Sequence, residues 1–253
     1  GREFLDRPLT PNFWKAPNDN QYRNNYRGQL GQWRNAAQNR NVASVEAEQI
    51  DAGHVRITAK MTLPVNDADY QITYDILAPQ TLLVAAEYRP DPAKKAPLLP
   101  RFGMTFAIPE KYSNVKWYGR GPHESYEDRK TGAEIAIHQS QVRQMVFPYI
   151  RPQDTGNRTD TRWFEITDSQ GRGLTISMFD QPLSFSTWPY TLAEVESATH
   201  DYELPCREFT TVFIDSRLHG VGGDNSWGAL THPQYTIPAD KPQILKFLIQ
   251  PTP

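Results

Sequence analysis

The sequence predicts an all-β protein: a large, mainly antiparallel β-sandwich with one or two short helices. Three observations predict it. Apolar and polar residues alternate with a period of two over long stretches, as in strands that bury one face. Turn clusters interrupt these stretches at short intervals, and the 253 residues include 21 Pro and 15 Gly. Strand candidates recur far more often than helix candidates, which argues against βαβ units.

Taken in order, the elements are these. Gly1 stands where a start methionine would be, and no charged-then-apolar signal pattern follows. Phe4, Leu5 and the Pro-rich Arg7–Pro11 begin abruptly. The reading is an internal fragment of a longer protein, with residues 1–10 the remnant of a linker and 1–253 a single domain. Tyr22, Tyr26, Leu30 and Trp33 are spaced 4, 4 and 3 apart, one apolar stripe on a helix within Tyr22–Arg40. From His54 the period becomes two: Val55, Ile57, Ala59, Met61 and Leu63 form one face, and Tyr70, Ile72, Tyr74 and Ile76 repeat it. Further strands are expected at Thr81–Arg89, Phe102–Ile108, Val115–Tyr118, Trp163–Thr167, Gly173–Phe179, Phe209–Asp215 and Ile244–Ile249. Thr191 and Glu194 form a capping-box pattern ahead of Val195, so a second helix is expected over Thr191–Ala198.

Composition removes several classes of function. Lys+Arg number 27 and Asp+Glu 29, a net charge of −2, so no basic footprint for nucleic acid is expected. No apolar run approaches the roughly 18 residues of a membrane-spanning helix. Cys206 is the one cysteine, which excludes an internal disulfide and a cysteine metal cage. It reads as a small buried hydrophobe. The six histidines are scattered, with no HExxH motif; no metal site is expected.

Four segments do not read as ordinary strand or turn. Pro11–Asn20 packs two prolines, two aromatics and an Asx-rich turn into ten residues, as a stiff strap crossing a sheet would. Trp117–Arg129 offers Glu124, Glu127 and Asp128 for acid–base work, but Arg neighbours beside Glu124 and Asp128 oppose a general-acid role; a structural corner is the alternative. Pro148–Trp163 mixes amides, guanidinium groups and carboxylates, suited either to an internal polar network or to lining a sugar pocket, with Gln153, Asn157, Arg158 and Glu124 the candidates. His219–Gly228 places glycines ahead of Trp227. They either build a loop tip that carries an aromatic plate out of the fold or lead a core tryptophan into place.

In these four segments the chain resembles the C-terminal domain of the large β-galactosidases of glycoside hydrolase family 2. The matching pattern is Trp14-x-Ala16-Pro17-x-Asp19-Asn20, then Trp117-x-Gly119-x-Gly121-Pro122-x-Glu124-x-Tyr126-x-Asp128-Arg129. It continues with Pro152-Gln153-x-x-Gly156-Asn157-Arg158-x-x-x-Arg162 and closes with Gly222-Gly223-Asp224-x-Ser226-Trp227. The motifs keep the family's order and span about residues 7–251.

The resemblance implies a β-supersandwich similar to the galactose mutarotase fold. It also implies an accessory role in a retaining enzyme that hydrolyses terminal non-reducing β-D-galactose residues. Such enzymes need two carboxylates about 5–5.5 Å apart. In the family both are glutamates on a TIM barrel that precedes this domain, as do a further β-sandwich and the magnesium and sodium sites. The resemblance therefore places no catalytic residue and no cofactor in these 253 residues, and the isolated chain is expected to be inactive. It assigns sugar stacking at the active-site mouth to Trp227, with Asp224, Asn225 and His219 as supports. Expected partners are the preceding barrel and sandwich domains and a galactoside, with no nucleic acid and no membrane; a homo-oligomer and either a cytoplasmic or a periplasmic location stay open. Two rivals stand beside this reading: a carbohydrate-binding module working alone, and an aldose 1-epimerase using His219 or His138 with Glu165.

Overall fold

The computed structural model describes residues 3–225 and 227–252. Fourteen strands follow one another along the described residues. The first five are β1 (Arg7–Asn12), β2 (Asn41–Asp51), β3 (His54–Thr62), β4 (Asp69–Leu77) and β5 (Thr81–Arg89). Next come β6 (Arg101–Pro109), β7 (Asn114–Gly121), β8 (Glu134–Gln141), β9 (Arg158–Thr161) and β10 (Trp163–Thr167). The last are β11 (Gly173–Met178), β12 (Leu183–Trp188), β13 (Phe209–Leu218) and β14 (Gln243–Thr252). They form two sheets, one in the order β1-β6-β13-β12-β9 and one in the order β2-β3-β4-β5-β14-β11-β10-β7-β8. Every pairing is antiparallel. The all-β, antiparallel sandwich expected from the period of two is the fold observed.

The inward rows of the two sheets meet in one apolar cluster. Tyr70, Ile72, Val84, Phe247, Ile176, Phe164 and Trp117 come from the larger sheet, and Phe102, Met104, Phe106, Val212, Ile214 and Phe185 from the smaller. Phe164 and Phe185 stack across the interface, with ring centroids 4.2 Å apart. The strap behaves as its composition predicts: Phe13 and Trp14 are each 1% exposed and anchor the chain between β1 and the first helix. The smaller sheet is covered on its other face as well, by a second cluster of Ala16, Trp188, Val195 and Phe213.

Four short α-helices occur among the described residues: α1 (Asp19–Arg23), α2 (Tyr26–Leu30), α3 (Val142–Met145) and α4 (Leu192–Ser197). The helix expected over Tyr22–Arg40 is instead α1, α2 and a 3-10 turn at Gly31–Trp33. Asn25 sits at φ +57° between them, a conformation that ends a helix. The apolar stripe survives the break, since Tyr26, Leu30 and Trp33 are all buried. The α4 capping box forms as expected: the Thr191 hydroxyl accepts from the Glu194 amide and the Glu194 carboxylate from the Thr191 amide.

Two further expectations are corrected. Arg7–Thr10 is not linker, because β1 pairs with β6 from Arg7 onward. Cys206 is exposed; it follows Pro205 in an irregular stretch ahead of β13, where no sheet covers it.

Candidate functional site

The chain leaves β13 at Leu218 and does not re-enter regular structure until a 3-10 turn at Pro233–Tyr235. Trp227 stands on the intervening loop with 86% of its surface exposed, so its ring belongs to no core. Its backbone is set by its neighbours. The Trp227 N–H donates to Asn225 Oδ1 at 2.9 Å, a local side-chain-to-backbone bond of the kind Asn makes in turns. Asp224 Oδ1 lies 2.7 Å from His232 Nε2, tying the outgoing arm to the returning one. The Thr231 hydroxyl lies 2.9 Å from the Gly222 carbonyl and 3.1 Å from that of Gly220. The arms run so close that a Cβ on Gly223 would sit 2.3 Å from the Ala229 carbonyl oxygen; glycine is required there by contact. Asp224 and Asn225 thus each bond to another residue of the same loop. Ser226 lies outside the described residues.

His219 is placed differently. It is 6% exposed, beneath the loop, with Nδ1 3.1 Å from the Tyr26 hydroxyl. Burial, followed by the nearby Lys15 charge, pushes its pKa down to about 4. It is a neutral wedge at the root of the loop. Lys15 is itself fully buried, and burial lowers its pKa against the opposing pull of Asp154. The same interior holds Arg101, whose Nε lies 3.0 Å from Asp215 Oδ1 and whose Nη2 lies 3.6 Å from Asp154 Oδ2, with all three side chains at zero exposure. Burial raises the pKa of Asp215 to about 7 against the pull of Arg101.

Of the four residues expected to line a polar pocket, the structure brings three into an internal network. Asn157 is fully buried and donates to the Ser125 carbonyl at 2.8 Å. Arg158 is buried, donates to the Gly156 and Asn157 carbonyls, and lies 5.2 Å over the Trp117 ring; burial lowers its pKa to about 10. Glu124 accepts from the Gly156 amide at 2.7 Å and from Thr155 Oγ1 at 3.2 Å, and pairs with Arg129 and the Tyr149 hydroxyl. Gln153 stands apart, donating to Asp19 Oδ2 at 3.3 Å. It lines a cavity of about 360 Å³ with Phe147, Tyr149 and Tyr190.

The carboxylates of the four segments are thus occupied in holding loops and pairing buried cations. The geometry asked of an epimerase is not assembled. Glu165 faces outward opposite Lys116, whereas His138 packs on buried Trp117 on the other face of the sheet. His219 belongs to the other sheet's end.

Residues 1–249 match the family model for the β-galactosidase small chain. The chain belongs to the β-galactosidase small-chain family. It is 37% identical over 250 residues to the β-galactosidase of Priestia megaterium, covering 98% of this chain and 24% of that one. It is 30% identical over 279 residues to the β-galactosidase small subunit of Latilactobacillus sakei, covering 98% and 86%. The chain therefore spans about a quarter of the length of the single-chain β-galactosidases it matches and most of a separate small subunit. Among solved structures, a galactose mutarotase-like protein from Lactobacillus casei overlaps 82% of this chain and 73% of its own, at 14% identity and a TM-score of 0.42.

Within this small-chain fold, the charged interior of Lys15, Arg101, Asp154 and Asp215 escaped the sequence reading. A signal existed: Arg101 opens β6 directly ahead of an apolar run, and Asp215 directly follows the apolar Val212–Ile214 in β13; a charge beside such a run is buried only when paired. Asp128 also escaped assignment. Its Arg neighbour argued against a general-acid role, and its oxygens face the backbone of the loop that carries Trp227.

Proposed function

We propose that the chain is the accessory β-sandwich domain of a retaining β-galactosidase of glycoside hydrolase family 2, acting on terminal non-reducing β-D-galactose residues. It buttresses a preceding catalytic barrel, and Trp227 supplies a stacking surface for sugar at the mouth of the active site. The observation that carries this reading is the exposure of Trp227 on a braced loop. An indole combines a large flat apolar face with a polar N–H, and on a braced loop that face stands open to a ligand. An indole face suits the CH face of a pyranose, and a fixed platform lowers the barrier by positioning the ring. The chemistry itself belongs to two glutamates on the barrel, with magnesium and sodium bound in the preceding domains. The committed state of this chain's own carboxylates supports that division.

The test is hydrolysis of a chromogenic β-galactoside by the purified chain, run beside the intact enzyme and its Trp227→Ala variant. The expected result is an inert chain and an intact variant with altered kinetics toward sugar acceptors. Turnover by the chain alone would overturn the proposal.

A further inference from the structure

The loop that carries Trp227 is gripped from outside by side chains of two distant segments. On the outgoing arm, Asp128 accepts from two consecutive backbone amides, Val221 N–H to Oδ1 at 3.0 Å and Gly222 N–H to Oδ2 at 2.6 Å. Asn18 Nδ2 donates to the Val221 carbonyl at 2.6 Å. On the returning arm, Asn20 uses both ends of its amide: Oδ1 accepts from the Gly228 N–H and Nδ2 donates to the Ala229 carbonyl, each at 3.0 Å. Among the described residues Asp128 has no ion-pair partner; both carboxylate oxygens are spent on the loop.

We propose that Asp128 and Asn20 are positioning residues, two jaws of a clamp that hold the loop so that Trp227 presents its ring in one place to a sugar acceptor. The inference rests on the stacking role given to Trp227 above. Three features make a clamp a better account than ordinary loop packing. The jaws come from segments more than 90 residues away in sequence for Asp128 and more than 200 for Asn20, so they fix where the internally bonded loop sits on the rest of the fold. They close on the two arms immediately before and after the tip, leaving only the short span that ends at Trp227 between them. The Asp128 bonds are charge-assisted, and such bonds are shorter and stronger than neutral ones. A ring held still loses little freedom when sugar stacks on it, whereas a ring on a loose loop must be ordered at the moment of binding. Loosening a jaw therefore weakens acceptor binding without touching the reacting bond.

The test is a double-mutant cycle in the intact β-galactosidase, read as the half-saturating concentration of a sugar acceptor in galactosyl transfer and, separately, as kcat for hydrolysis. Asp128→Ala should raise the acceptor half-saturation about fivefold, the equivalent of about 1 kcal/mol, with the effect on that quantity and not on kcat. Asp128→Asn, which keeps one acceptor oxygen, should recover part of the loss. Asn20→Ala opens the other jaw and should act in the same direction; it serves as the second probe if Asp128→Ala does not fold. In a Trp227→Ala background, both substitutions should have no further effect on the acceptor, because they act through the ring. Additive effects in that background, or single variants that lower kcat and leave the acceptor unchanged, overturn the clamp while leaving the stacking role intact. A Trp227→Ala enzyme with unchanged acceptor kinetics overturns the stacking role itself, and the clamp's function with it.

Discussion

The buried histidine at the root of the loop makes the fold sensitive to mild acid. His219 is held neutral, with its pKa pushed from 6.5 to about 4 by burial and then by Lys15. The folded state is reluctant to take a proton that the unfolded chain accepts readily once pH falls below 6.5. The stability this contributes is whole above pH 6.5 and is lost as pH falls toward 4. Linkage between those two values gives a loss of about 2 kcal/mol between pH 7 and pH 5. Asp215 drifts the other way in the same window, because its folded pKa is raised to about 7 by burial, so folding gains stability there as pH falls. Comparing His219→Gln with wild type separates the two, since the Asp215 contribution is common to both. The assay is urea unfolding of both proteins at half-unit steps from pH 7.5 to 5. The stability difference should shift by about 2 kcal/mol in favour of the variant on going from pH 7 to 5. A difference that stays flat across that range would refute the burial argument.

Two further outcomes follow from the packing. Arg101→Met leaves Asp154 and Asp215 buried without their guanidinium and should cost about 3–5 kcal/mol in urea unfolding; adding Asp154→Asn and Asp215→Asn should recover a large part. Thr191→Ala removes the cap of α4 and should lower stability by about 1 kcal/mol at unchanged m-value.

How much of this was legible in the sequence depended on burial. β3 and β4 alternate apolar and polar residues, and β5 carries an unbroken apolar run from Leu82 to Ala86, so the ends of all three could be read to within a residue or so. β12 is buried on every residue, with α4 over the outer face of its sheet; its alternation, Leu183-Ser184-Phe185-Ser186, lasts only four residues and was missed. β2 fails for the opposite reason: as an edge strand it leaves Val42 and Val45 exposed, and nothing imposes a period. The first helix was read from a true apolar stripe, but periodicity does not register a single residue such as Asn25 turning left-handed. At the site, the residue types were readable and their directions were not. Trp227 is exposed, one of the two placements the glycine-rich approach left open, while His219, eight residues earlier, turned inward. Arg158 and Asn157 look like ligand groups by composition and are internal, since the chain spends them on its own carbonyls.

The central claim is that this domain contributes a surface to a β-galactosidase and leaves bond cleavage to another part of the enzyme. The most direct test is the partition of the galactosyl group between water and a sugar acceptor in the intact enzyme, with and without Trp227→Ala. The indole is already in solvent, so the variant should fold with stability within about 0.5 kcal/mol of wild type. Losing the apolar face should raise the acceptor half-saturation about tenfold while hydrolysis continues. A variant that transfers to acceptor as wild type does would contradict the account.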